Sequence, residues 1–96
     1  MNYDDAEKRL IAIGKELEKD INNSETWAAK AEILCSLRLH ELALRCCDRS
    51  LAINPDNALT WVTKGIALNK LGRHDEAEEA FARAKELGYK GAPTYD

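Results

Sequence analysis

Shifted by 34 residues, the chain falls on itself without a gap. Thr26 and Trp27 land on Thr60 and Trp61, Lys30 on Lys64, Leu34 on Leu68 and Leu37 on Leu71. His40 lands on His74, Ala43 on Ala77 and Arg49 on Arg83. A fixed period of this length marks an array in which each unit buries its apolar face against its neighbours. Each period must therefore be one small supersecondary unit, and its loops must be short.

The pattern inside each period is helical. From about Asp4 to Asp20 the apolar residues Ala6, Leu10, Ile13, Leu17 and Ile21 recur every three or four positions, one stripe on one face. Further helices are expected over roughly Ser24–Leu37, Glu41–Ile53, Ala58–Leu71 and Asp75–Leu87. Asn22, Asn23 and Ser24 break the first helix and offer cap oxygens for the second, and Asn57 can do the same for the fourth. Pro55 cannot continue a helix. Gly72 and Gly88 suit left-handed helix ends. Arg38 stands where the shift places Gly72, and a non-glycine residue in that conformation costs about 1 kcal/mol. No useful stretch alternates with period two, so the 96 residues read as one all-α domain of five helices. The short loops make successive helices antiparallel neighbours. Helices pack about 8–10 Å apart only if small residues meet at the crossing. Gly65 or Ala31 is expected to face Ala77 or Ala43, with Trp and Phe filling the wider spaces on either side.

The repeated block resembles the tetratricopeptide repeat (TPR), a helix-turn-helix of the same length. The residues that carry the resemblance are Trp27, Ala31, Leu34, Ala43, Cys47, Ser50 and Pro55 in the first copy. In the second they are Trp61, Gly65, Leu68, Ala77, Phe81 and Ala84. Cys47 departs from the pattern, where an aromatic is usual, and Tyr89 stands where Pro would be. The resemblance implies a right-handed α-α superhelix. It divides the chain into an N-terminal helix or half repeat over 1–23, repeats over 24–57 and 58–91, and the opening of a third over 92–96. In that last segment Thr94 and Tyr95 continue the period of Thr60 and Trp61. The first helix resembles the second helix of a repeat, with Ala6, Leu10 and Ile13 in the Ala, aromatic and Ala slots. In that register it lies about three residues too far from Trp27, so it is either half a repeat or a dedicated cap.

The resemblance also implies a function. Such arrays are non-enzymatic scaffolds that bind a peptide or helix of a partner protein in a concave groove lined by the first helix of each repeat. The groove positions are Glu25, Ala28, Glu32, Cys35 and Ser36 in one copy and Leu59, Val62, Ile66, Asn69 and Lys70 in the other. One half is acidic and small, the other apolar. Leu59, Val62 and Ile66 have the spacing of an anchor stripe for a partner helix, unless they pack on the preceding helix or under a further repeat. Some relatives hold a chaperone's C-terminal carboxylate there with Asn, Lys and Arg. The equivalent places here are Ala28, Glu32, Val62 and Ile66, so no such clamp is expected. The alternative function is a module that self-associates, for instance as a homodimer, through uncapped helical ends.

The remaining observations narrow the field by exclusion. A net charge of -3 argues against a nucleic-acid or anionic-membrane binder, which shows a basic face. No apolar run approaches the roughly 20 residues that span a bilayer, and the acidic N-terminus is unlike a secretory signal. Three cysteines, two of them adjacent, do not form a disulfide framework, and a reducing, cytoplasmic setting fits best. Cys35, His40, Cys46 and Cys47 lack the ligand spacings of a structural zinc site, and small buried side chains account for them better. No metal or other cofactor is expected. His40 and His74 share one place at the turn into the second helix of each unit, which suggests turn packing or N-terminal capping. No nucleophile–base constellation or phosphate loop is present, so no catalytic residue is assigned.

Overall fold

The computed structural model describes residues 2–91. The incomplete third repeat expected over 92–96 lies outside the described residues. Five helices follow one another: α1 (Tyr3–Lys19), α2 (Ser24–Ser36), α3 (His40–Ile53), α4 (Ala58–Lys70) and α5 (His74–Glu86). The described residues contain no strand.

The links into α2 and α4 are built alike, and the polar groups responsible are local. Asn23 Oδ1 accepts from the backbone N–H groups of Glu25 and Thr26 at 3.1 and 3.2 Å, and Asn57 Oδ1 accepts from that of Thr60 at 3.3 Å. Each satisfies donors that a helix start leaves without intrahelical partners. Just upstream, Asp20 accepts from the N–H of Asn22 and Asn54 from that of Asp56. The indole N–H of Trp27 donates to Ile21 O, and that of Trp61 to Pro55 O, both at 2.7 Å. Corresponding residues in these links are 34 positions apart.

That identity corrects the register of the first helix. No three-residue offset intervenes, because the α1–α2 link keeps the period. Leu10, Ile13 and Leu17 then correspond to Leu44, Cys47 and Leu51, and Ala6 corresponds to His40 rather than to Ala43. Ala6 and Ile13 are buried against Ile33 of α2, with Leu10, Leu17 and Leu37 beside them. Arg9 and Glu16 stand where α3 has the fully buried Ala43 and Ser50. In α3 that side faces α2, where Ser50 Oγ donates to Ser24 O at 2.8 Å. Among the described residues α1 packs on α2 alone, so the corresponding charges of α1 stay hydrated.

The turns after α2, α4 and α5 share another geometry. Leu39 N–H reaches back to Leu34 O, Arg73 N–H to Leu68 O and Tyr89 N–H to Ala84 O, at 2.9, 2.9 and 3.0 Å. This closure needs one left-handed residue. Gly72 (φ 79°) and Gly88 (φ 100°) supply it, and Arg38 adopts it with φ 64° despite its side chain.

The main core joins Ala31, Leu34, Ala43, Leu44, Cys46 and Cys47 to Ala67, Leu68, Ala77 and Ala80, flanked by Trp27, Trp61 and Phe81. One expectation needs correction. A Cβ on Gly65 would fall within 3.0 Å of three carbons of the Phe81 ring. The glycine therefore makes room for the Phe81 ring itself, which lies over it and not to one side.

Candidate protein-interaction face

Successive helices pack in antiparallel order, and α2 also touches α4. Among the described residues the backbones of α3 and α5 stay farther apart than those of α2 and α4. A stack whose first helices meet while its second helices splay apart curves toward the first. The α2–α4 side is thus the concave one.

Along α2, Glu25 and Glu32 are exposed, and Ala28 and Cys35 are half-buried. Along α4, Leu59 is 59% exposed, and Ile66, Asn69 and Lys70 are half-buried. Val62 does not join this display. It is only 8% exposed. It turns toward α5, where it lines a cleft of about 680 Å³ with Phe81, Ala82 and Lys85. Its place beside the bulky Phe81 is the physical reason. Ser36 and Thr63 spend their hydroxyls on backbone carbonyls one turn back, Glu32 O and Leu59 O, both at 3.1 Å.

The tryptophans serve the fold. Both are half-buried and tied to the backbone through their indole N–H groups. Lys30 and Arg49 lie over the Trp27 ring at 5.5 and 4.8 Å, and Lys64 over the Trp61 ring at 5.4 Å. Such contacts are favourable and cover ring surface. Lys64 also bridges to Asp48 at 2.8 Å, linking α4 to α3.

Cys35 is the most accessible thiol, and burial followed by the charge of Glu32 pushes its pKa up to about 11. Burial likewise raises Cys46 and Cys47. All three are protonated, and weakly nucleophilic, near neutrality. Among the described residues no three His, Cys, Asp or Glu side chains come together in a way that could hold a metal ion.

The histidines do not cap. Leu39 and Arg73 occupy the N-cap positions of α3 and α5, with no side-chain cap bond. His74 Nδ1 instead pairs with Asn69 Oδ1, pinning the start of α5 to the end of α4. Cys35 stands in the place of Asn69 in the first pair, and the buried His40 Nδ1 has no hydrogen-bond partner among the described residues. Burial, then Lys70 and Arg38, lowers the pKa of His40.

Sequence reasoning passed over Leu39 and Leu42, which are 45% and 46% exposed. The signal was available, since the shift sets them against Arg73 and Glu76, an ion pair at 2.7 Å.

No helix of the described residues is long and apolar enough to cross a membrane. Residues 46–79 match the family model of the tetratricopeptide repeat. The match is one period long, in a frame that opens inside α3, takes in α4 and closes inside α5.

Proposed function

We propose that the chain is a tetratricopeptide-repeat protein, as the match over residues 46–79 supports, and that it is a non-enzymatic interaction module. Its concave face, made by α2 and α4, binds an extended or helical segment of another protein. Tetratricopeptide repeats generally mediate protein–protein interaction. The observation that carries the reading here is Leu59, 59% exposed on the concave side, with Ile66 two turns along the same helix. Glu25 and Glu32 are exposed on α2, the other helix of this face. The preferred partner segment carries two apolar anchors two helical turns apart and a basic residue on the flank facing α2. Asn69 and Lys70 extend the face toward the end of α4. The repeats are taken as 24–57 and 58–91, with 1–23 as a half unit in the same period.

Self-association through the helical ends has less support. Where α3 has the buried Leu44 and Leu51, α5 has Glu78 and Lys85. The corresponding exposure of charge on α1, at Arg9 and Glu16, is described above. Charged end faces are costly to bury without partners.

The test is a peptide selected on the immobilised chain and then titrated against Leu59→Glu and Glu32→Lys variants. Each should weaken binding about tenfold or more, near 1.4 kcal/mol, with the thermal midpoint little changed because both side chains are exposed. Undiminished binding to both variants would overturn the groove assignment.

A further inference from the structure

We propose that the α2–α3 turn carries a self-complementary apolar patch through which two copies of the chain pair about a twofold axis. The patch is a shallow hollow of about 270 Å³ lined by Arg38, Leu39, His40, Glu41, Leu42 and Leu71. Leu39 and Leu42 project from it, each nearly half exposed. The fold does not require them. At the matching turn of the second pair, 34 residues on, the same two positions hold Arg73 and Glu76, joined at 2.7 Å. The molecule thus contains its own control, a turn of the same backbone geometry with a polar surface.

The occupant follows from what the patch displays. A twofold contact sets one surface against itself, so the surface must hold both halves of every interaction. This one holds projecting leucines and a hollow that can receive them. It also holds opposite charges, Arg38 and Glu41, three residues apart on the same rim. Among the described residues neither forms an ion pair within its own copy. Arg73, whose field Glu41 shares, is already held by Glu76. A twofold axis through the hollow sets Arg38 of each copy against Glu41 of the other and places Leu42 in the opposing hollow. The patch is small beside the roughly 1,200 Å² of a stable interface, so the pairing is weak and reversible. It uses none of Leu59, Ile66, Glu25 or Glu32, and leaves the concave faces of both copies open.

Sedimentation velocity from about 10 µM to about 1 mM covers the weak range expected of so small a contact. The intact chain should move from monomer toward dimer as concentration rises. The double substitution Leu39→Arg with Leu42→Glu installs the pair that the other turn already carries. It should keep the helical circular dichroism and thermal midpoint while weakening association at least tenfold. Arg38→Glu or Glu41→Arg alone should also weaken it, and the two together should restore it, the signature of a reciprocal pair. A monomer at every concentration would overturn the proposal and leave the patch to a different protein. So would a dimer that survives the leucine substitutions, or a charge swap that fails to restore it.

Discussion

The α2–α3 pair and the α4–α5 pair answer the same packing problem with different side chains. Their framework is shared: an asparagine cap, an indole bonded to the linker carbonyl and a left-handed residue between the helices. Their fillings differ. Where the second pair sets Gly65 against the Phe81 ring, the first has Ala31 and Cys47, both fully buried. Losing a methyl on one helix makes room for an aromatic on the other. The backbone geometry is thus held by polar and conformational positions that repeat, and the interior by volumes that compensate in pairs. Close packing imposes this, because an interior near crystal density tolerates neither an extra methyl nor a hole.

The sharpest way to break that comparison is Gly65→Ala. The new methyl would overlap the Phe81 ring, and overpacking of this kind costs about 2 kcal/mol. Gly65→Ala combined with Phe81→Cys recreates the filling of the first pair. In urea unfolding the double variant should be more stable than the sum of the single effects predicts, by about 1 kcal/mol or more. Strict additivity would show that the two positions are not coupled and that the compensation is accidental.

What could be read in advance follows from the range of the interaction concerned. Helix ends were legible because their causes are local: Pro55, Asn57, Gly72 and Gly88 act within a turn of themselves. The partner of Gly65 was not. Ala77 and Phe81 lie one turn apart on the same stripe, and spacing alone cannot say which side chain leans over the gap. The register of α1 failed for a related reason, since Ala6, Leu10 and Ile13 fit two alignments equally well. The decision came from the Asp20 and Trp27 hydrogen bonds, in which backbone atoms take part. Helical spacing put Leu59, Val62 and Ile66 on one stripe, but Val62 is buried beside α5, a later element that spacing within α4 could not reveal. For the histidines the sequence left turn packing and capping both open, and the choice of packing for His74 depends on Asn69 of the preceding helix.

A second difference between the pairs is chemical. All three cysteines lie in the first pair, where the second has Asn69, Ala80 and Phe81. Each thiol has a pKa raised by burial, with Cys35 pushed from 9.0 up to about 11. The unfolded chain then releases these protons first, so the folded state holds more protons between the two values. The contribution to stability is complete below pH 9.0 and declines as pH rises toward the folded values. Cys35→Asn, the residue used in the second pair, should flatten this alkaline decline in denaturation midpoints taken from pH 8 to pH 11. It also offers His40 Nδ1 the partner that His74 has. An alkaline profile that Cys35→Asn leaves unchanged would show that this thiol does not contribute.

The smallest difference tests whether the shared turn geometry is equally comfortable in both pairs. Arg38 and Gly72 sit in the same left-handed conformation with the same closing hydrogen bonds. For a side-chain-bearing residue that conformation costs about 1 kcal/mol. Arg38→Gly removes that cost but gives the unfolded chain more freedom, which takes back about half of it. The net stabilisation should be about 0.5 kcal/mol, measured at low protein concentration so that any pairing through Arg38 is absent. Gly72→Arg reverses both effects and should destabilise by a similar amount. Stability lost in Arg38→Gly would mean that the arginine side chain contributes more than its backbone strain removes, for instance along the rim it shares with Glu41. The two turns would then be alike in geometry only.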